Sequence, residues 1–411
     1  MRRTLAALLP LFAAAASAAT INNNDSCDIA LQPAATLLLP YFEVDFKAPQ
    51  SNAMTTLFTI QNLSPSPRIA NVTLWTDWGF PALNFPIHLT GYDVQGINLY
   101  DLFARGTFPQ TECGGSSVPA AFVTDLQFMF TTGRATGAAM PCTARVGGEH
   151  AHAIGYVTVD LVATCAARNA LSSDYFANLL YDNVLTGDYQ QLAMADSHAY
   201  ASGGPLVHIR AIPEGGAAGA AVATNLPYTF YDRFTPSPAM RKSDRRQPLP
   251  SLFAPRFING GSGAFGTTLK IWREGITAGA CFGAGVAAAS NSSMEILDAV
   301  RFDEHENSTV GYYECRILCG PPPGNPLTFS ISSSNTTFLP SFSISGDVAG
   351  WIYLNLDNVH MKDRPSQNWV IVSMFANPTY ATEAPAPSLG NGCSPPVKQK
   401  AQIAPAPNPT P

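Results

Sequence analysis

The chain has 411 residues, enough for about two or three domains with a full hydrophobic core, so its stability need not depend on cross-links. Only 13% of the residues are charged and 46% are hydrophobic, while 34 Pro and 32 Gly residues disfavour long helices. The formal net charge of −6 gives the surface no electrostatic attraction to nucleic acid.

The first 18 residues have the layout of a secretory signal peptide. Arg2 and Arg3 precede an apolar run, and small residues up to Ala18 suit cleavage before Ala19. Cleavage removes two of 23 basic residues, which leaves 21 against 29 acidic residues and a formal charge of −8. No later run reaches about 18 apolar residues, so no transmembrane segment is expected after the signal. We predict a secreted, periplasmic or extracellular protein.

Short strands and turns dominate the first half of the mature chain. Residues 37–46 read as a strand that Pro40 bends or places at a sheet edge, and 55–62 and 69–78 flank a Pro/Ser turn as an antiparallel hairpin. Helical spacing and an N-cap candidate predict one short helix over 172–180. Residues 104–150 form a long excursion, whose apolar run 122–130 is a short helix or a strand. Further strands are predicted at 85–90, 97–103, 153–162 and 204–212.

Composition changes between residues 236 and 250. Arg241-Lys242 and Arg245-Arg246 lie among prolines here, and we interpret the segment as a solvated linker rather than as a partner-binding or protease-sensitive site.

The pattern of the first half returns after the linker. Residues 267–275 are similar to 55–58 and to 72–79, and 350–356 are similar to 155–161 in the same order. A diverged duplication explains this similarity. The alternation of apolar and polar residues that is common to strands explains it as well. From 383 onward the chain is rich in Ala and Pro and is expected to be disordered.

Together these elements predict an all-β fold with two tandem β-sandwich-like domains, one short helix in the first, and a disordered Pro-rich tail. The predicted segments are the signal peptide (1–18), domain 1 (19–235), the linker (236–250), domain 2 (251–382) and the tail (383–411).

The eight cysteines are an even number and follow the signal peptide, so an exported protein is expected to form disulfides. We predict Cys113 with Cys142, and Cys281 with Cys315 or Cys319. A zinc site at Cys315-x3-Cys319 is the rival interpretation, and nothing nearby completes four ligands.

Glu149-His150-Ala151-His152 is the best metal candidate, because histidines at i and i+2 of a strand share one face and could bind Zn²⁺ together. His198, His208 or Asp160 would supply a third ligand. The alternative to metal binding is that both histidines lie on the solvent-exposed face of an edge strand or loop.

Two further groups suggest ligands. Asp298 and Asp303-Glu304-His305-Glu306 form an acidic cluster that could bind Ca²⁺, although a solvated turn explains it as well. Alternation puts Trp351 and Tyr353 on one face of a strand, where they could form a sugar-binding platform. Most aromatic rings, including Trp75, Trp78 and Trp369, are instead expected in the cores.

No catalytic residue is nominated. The chain lacks G-x-S-x-G, and the G-x-G-x-x-G string at 261–266 precedes a strand, whereas a dinucleotide fingerprint follows one. We therefore favour an exported or surface-associated, non-enzymatic protein that binds or scaffolds, with an unknown protein or glycan as partner and no cofactor. The alternative is a secreted carbohydrate-active or metal-dependent hydrolase.

Overall fold

A computed structural model defines the structure, and all structural statements below concern the residues that it describes. These are 31–77, 79–109, 112–114, 117–135, 146–166, 168, 170, 172, 174–195, 198–212, 214–216, 230–231, 244–262, 264–273, 298–311, 327–332, 335–336, 348–356, 367–376 and 380–389.

The described chain consists mostly of strands, which confirms the all-β fold class. In chain order the elements are β1 (Thr36–Val44), β2 (Thr55–Asn62), β3 (Arg68–Thr76), β4 (Pro81–Leu89), β5 (Val94–Asn98), α1 (Leu99–Arg105), α2 (Ala120–Thr132), β6 (Ala153–Val162), α3 (Tyr175–Asn178), β7 (Leu185–Thr186), β8 (Asp188–Ala195), β9 (His198–Pro205), β10 (Val207–Ile209), β11 (Leu252–Phe253), β12 (Arg256–Asn259), β13 (Gly266–Arg273), β14 (Asp298–Asp303), β15 (Ser308–Gly311), β16 (Leu327–Ser332), β17 (Asn335–Thr336), β18 (Val348–Asn355), β19 (Asn368–Ala376) and β20 (Tyr380–Pro385).

The described strands form four antiparallel sheets. The first sheet has the order β10-β1-β6-β3-β4, and the second has the order β5-β2-β8-β9 with β7 also beside β2. The third sheet has the order β11-β18-β14-β15 with β12 also beside β18, and the fourth has the order β17-β16-β13-β19-β20. The first half of the chain thus supplies two sheets and the second half supplies two, while the predicted domain boundary stays a prediction.

The predicted hairpin of β2 and β3 is wrong, although both strands exist. β2 pairs with β5 and β8 in the second sheet, whereas β3 pairs with β4 and β6 in the first. The Pro/Ser connection therefore crosses between sheets, and Asn62 holds it by donating from Nδ2 to the carbonyls of Ser66 and Thr90 at 2.9 and 2.8 Å. A hairpin and a crossing between sheets give the same alternating sequence pattern, so alternation alone could not separate them.

A main core lies between the first and second sheets, and two helices pack against it. The strand predicted over 97–103 is wrong beyond Asn98, because Asn98 caps α1 by accepting a hydrogen bond from the Tyr100 backbone N–H. Leu99, Leu102 and Phe103 then follow helical spacing and are buried, and Gly106 ends the helix at a left-handed φ of 68°. α2 occupies the run 122–130 that the sequence left open, and α3 confirms the predicted short helix.

The opposite face of the first sheet is also buried. α3, residues 230–231 and residues 244–250 cover it, and Trp272 of β13 joins the same cluster. Asp244, Arg245 and Arg246 have no more than 2% of their surface exposed. A solvated linker is therefore the wrong interpretation for 244–250, because Arg246 lies against Asp160 of the first sheet, Asp244 pairs with Arg246, and Arg245 lies over the Tyr181 ring.

The fourth sheet packs on two neighbours. Leu269 and Ile271 of β13 face a core shared with the third sheet, while Trp272 and Ile371 belong to the clusters of the first half. The predicted start of the tail at 383 is too early, because β20 runs to Pro385 and Ala386 is buried. Residues 390–411 lie outside the described part of the chain.

One disulfide joins the excursion to the end of β6. Cys113 is bonded to Cys165, with Cα atoms 5.3 Å apart, so the predicted partner Cys142 is wrong. Cys142 itself and the predicted partners Cys281, Cys315 and Cys319 lie outside the described residues, as does the rival zinc site.

Candidate functional site

An open cleft of about 550 Å³ lies on the outer face of the second sheet. Alternation along β2 buries Phe58 and Ile60 and turns Leu57 and Thr59 outward, and the same period turns Asp188 and Gln190 of β8 outward. Phe58 of β2 also lines the cleft, and the remaining lining residues come from β5, α1 and the segment after it: Gln95, Gly96, Ile97, Asn98, Asp101, Thr107, Phe108 and Pro109.

Local contacts fix the shape of this cleft. Thr59 Oγ1 donates to Asp188 Oδ1 at 2.9 Å across the floor. Phe108 forms the wall and is held by stacking on Phe85, with ring centroids 4.5 Å apart. A Cβ atom at Gly96 would meet nothing within 4 Å, so the floor stays open at β5.

The chemistry of the cleft is polar and acidic. Amide and hydroxyl groups of Gln95, Gln190 and Thr59 surround the apolar surface of Leu57 and Phe108, and the lining includes two aspartates and no lysine, arginine or histidine. Such a surface can donate to and accept from neutral hydroxyl and amide groups while apolar contacts bury the ligand. It offers no cation to a phosphate or sulfate.

The predicted metal ligands lie in the loop before β6, not within the strand, so the assumption that they share a strand face is wrong. His150 Nε2 is 2.5 Å from Asp77 Oδ2, and Asp77 Oδ1 accepts from the Gly148 backbone N–H at 2.8 Å. His152 Nδ1 is 2.7 Å from Oε1 of Glu43, which belongs to β1. The two histidines thus contact different carboxylates and hold the loop against β3 and β1.

The proposed third ligands lie in other surroundings. Asp160 is eight residues beyond His152 along β6, a separation of roughly 26 Å. His208 is buried on β10, where Nδ1 lies 3.0 Å from the Gln32 carbonyl, and burial lowers its pKa. His198 begins β9. The described residues contain no group of three or more His, Cys, Asp or Glu side chains that could hold a metal ion, and zinc binding by His150 and His152 stays a prediction.

Trp351 and Tyr353 are half-buried on one face of β18, while Ile352 and Leu354, which alternate with them, are buried on the other. The predicted alternation is therefore confirmed. Trp351 stacks on Phe302 of β14, with centroids 4.3 Å apart and an interplanar angle of 11°, so one face of each ring is already covered. Sugar binding there stays a prediction.

Other aromatic residues behave as core. Trp75 is buried, stacks on Tyr156 and donates from Nε1 to Thr158 Oγ1 at 2.8 Å. Trp369 is partly buried against the cores, and Trp78 lies outside the described residues.

The acidic cluster forms the turn between β14 and β15. Asp303 accepts from the backbone N–H groups of His305 and Asn307 and from the Asn307 side chain, each at 2.9 Å. The Asn307 side chain is the main reason that the pKa of the Asp303 carboxyl lies below its ordinary value. Glu304 and Glu306 are exposed and Asp298 begins β14 at its opposite end, which fits the solvated-turn interpretation.

A buried ionic network joins 244–250 to the first sheet. Asp160 and Arg246 are both fully buried, and Arg246 Nε lies 3.5 Å from Asp160 Oδ1. Asp160 accepts from Thr36 Oγ1 at 2.6 Å and from the hydroxyls of Tyr231, at 2.7 Å, and Tyr175. These contacts satisfy both carboxylate oxygens without solvent.

The charges within this network set its protonation states. Burial and the Asp160 charge raise the pKa of Tyr175 and Tyr231 well above 10.0, so both hydroxyls stay protonated donors. Burial opposes the charge on Arg246, but Asp160 and Asp244 outweigh it and hold its pKa above the ordinary value. The network is a fixed cross-link between strands, and it is closed to ligands because its charged groups are buried.

Sequence reasoning missed the cleft entirely. The only available signal was the alternation in β8, where Asp188 and Gln190 interleave with the buried Tyr189 and Gln191. Nothing in the sequence places β5 and β8 on either side of β2, because the pairing is non-local.

Comparisons with protein-family models, curated proteins and solved structures found no match to this chain. Among the described helices, none has the length and apolarity that a membrane span requires. The function must therefore be argued from the geometry of this chain.

Proposed function

We propose that this chain is an exported, non-enzymatic β-domain protein that binds a neutral glycan in the cleft on the second sheet, as part of a surface-associated or extracellular binding or scaffolding role. The observation that carries this proposal is the lining of the cleft. Outward amide, hydroxyl and carboxylate groups flank Leu57 and Phe108, and no lysine or arginine is among them.

Charge and shape favour a glycan over other ligands. A neutral polyhydroxylated ligand exchanges hydrogen bonds with Gln95, Gln190 and Asp188 and lays its apolar face on Phe108. An anionic polymer would meet the Asp188 carboxylate with no lysine or arginine in the lining, and Asp101 is already paired with Arg105.

Export is the other part of the proposal. The sequence of residues 1–18 supports it, and so does the Cys113–Cys165 disulfide, because disulfides persist in oxidising compartments. The non-enzymatic role is supported by the engagement of Asp77, Asp160 and Glu43 in contacts that hold strands and loops together.

A glycan array probed with the labelled mature protein tests the proposed binding. We expect binding to a subset of neutral oligosaccharides, and we expect Gln190→Ala and Asp188→Asn to weaken it about tenfold each, since a lost hydrogen bond in a binding site costs about 1.4 kcal/mol. Gln61→Ala is the matched control, because Gln61 lies on β2 outside the cleft lining.

Two results would contradict the proposal. One is a folded protein that binds no neutral glycan on the array. The other is binding that survives both cleft substitutions but is lost in Trp351→Ala, which would assign glycan binding to the third sheet instead.

A further inference from the structure

Three reactive side chains meet where the second and fourth sheets face each other. Lys270 of β13 lies on the opposite face from the buried Leu269 and Ile271, and its Nζ donates to Gln191 Oε1 of β8 and to Glu383 Oε1 of β20. The Lys270 side chain is 12% exposed and the Glu383 side chain 1%. The Lys270 amine therefore contacts both a carboxamide and a carboxyl group, largely away from solvent.

The surroundings hold these groups in place. Tyr189 donates from its hydroxyl to Glu383 Oε2 at 3.0 Å, and burial together with the Glu383 charge raises its pKa well above 10.0, so it remains a donor. The Tyr41 ring lies 4.7 Å from Lys270 Nζ and covers it. Glu383 is thus fixed on one oxygen by Tyr189 and presents the other to Lys270.

Among the described residues, only the oxygen of the Gln191 side-chain amide has a hydrogen-bond partner. Its Oε1 accepts from Lys270, whereas its Nε2 is buried and has no hydrogen-bond partner among the described residues. A buried amide N–H₂ without partners is unfavourable. Replacing that nitrogen by Lys270 Nζ would remove the unsatisfied N–H₂ group and leave a neutral amide.

We propose that Lys270 and Gln191 form an intramolecular isopeptide bond, with Glu383 as the group that transfers protons. Glu383 takes one proton from the Lys270 ammonium, and the neutral Nζ attacks Gln191 Cδ. The Nζ–Cδ bond forms, the Cδ–Nε2 bond breaks, and the second Nζ proton passes through Glu383 to the leaving nitrogen. Nε2 departs as ammonia, Glu383 ends protonated, and no oxidant or other reactant is required.

Positioning makes this step feasible within the folded chain. A nucleophile held against its carbonyl reacts as if at a very high effective concentration, and a carboxyl within hydrogen-bond reach serves as acid and base. The bond would join residues separated by 79 positions and would link β8 covalently to β13. It does not depend on what the cleft binds.

Mass spectrometry of the reduced, denatured mature protein tests the bond. The expected result is an intact mass lower by one ammonia than the sequence requires, together with a branched proteolytic peptide that joins Lys270 to Gln191. A folded protein with the unmodified mass and with separate linear peptides around these residues would overturn the proposal, and would leave a non-covalent ion pair only.

Variants assign the roles. Lys270→Arg and Gln191→Ala should each abolish the mass loss, and Glu383→Gln should abolish it while the circular dichroism spectrum stays native. Gln61→Ala is the matched control and should retain the full mass loss. A mass loss that persists in Gln191→Ala would overturn the assignment, and persistence in Glu383→Gln would overturn the proton-transfer role. The wild-type measurement remains decisive even if a variant fails to fold.

Discussion

Asp160→Asn is expected to destabilise the protein far more than its small change in shape suggests. The variant keeps one acceptor oxygen, but its Nδ2 group cannot accept from the hydroxyls of Tyr175 and Tyr231. Arg246 simultaneously loses one of its two buried carboxylate partners and keeps Asp244.

The magnitude follows from these contacts. Removing one partner of a buried ion pair costs about 3–5 kcal/mol, and each orphaned buried hydroxyl costs about 1–3 kcal/mol, partly as the same effect. We therefore expect a loss of about 3–5 kcal/mol, a large fraction of the roughly 5–15 kcal/mol that stabilises a typical protein.

Urea unfolding followed by tryptophan fluorescence measures this loss. Trp75 contacts Tyr156 and Thr158 on the same sheet face as Asp160, so its emission reports on this region. Asp188→Asn is the control, because Asp188 is exposed and should change stability by no more than about 1 kcal/mol. A loss below about 1 kcal/mol in Asp160→Asn would refute the claim that the network joins 244–250 to the first sheet.

Three further predictions concern stability. His208 has a folded pKa lowered by burial from 6.5, so stability should be complete above pH 6.5 and should fall below it by up to about 1.4 kcal/mol per pH unit; urea titrations should show a shallower fall in His208→Gln. Replacing both Cys113 and Cys165 by serine should lower the free energy of unfolding by about 4 kcal/mol, from the loop of 52 residues that the bond closes; equal stability of the oxidised protein and the variant would contradict this. Gly155→Ala should cost about 1–3 kcal/mol or more, because a Cβ atom would lie 2.2 Å from the Trp75 carbonyl oxygen, whereas Gly96→Ala, with nothing within 4 Å, should leave the thermal midpoint nearly unchanged.

Local patterns predicted local structure well. The strand expected over 153–162 is β6, with the same bounds, because its β-branched residues alternate between two buried faces. The alternation of Trp351 and Tyr353 was likewise visible in the sequence.

Non-local structure could not be predicted from the same patterns. The strands on either side of the Pro/Ser turn do not pair with each other, because β2 pairs with β5 and β8 instead. That choice depends on tertiary packing. The charges at 244–246 looked solvated because their partner Asp160 lies far away in the sequence. The partner of Cys113 is likewise determined by tertiary packing, not by the spacing of cysteines.

Hydrogen exchange of the mature protein, with and without the strongest neutral glycan from the array, tests the cleft most directly. β5 lies at the edge of the second sheet among the described strands, so its backbone amides are sensitive to a ligand on that side. We predict slower exchange in 94–98 and 107–108 and unchanged exchange in 348–356. Protection confined to 348–356, or no protection at a saturating glycan concentration, would contradict the proposed binding site.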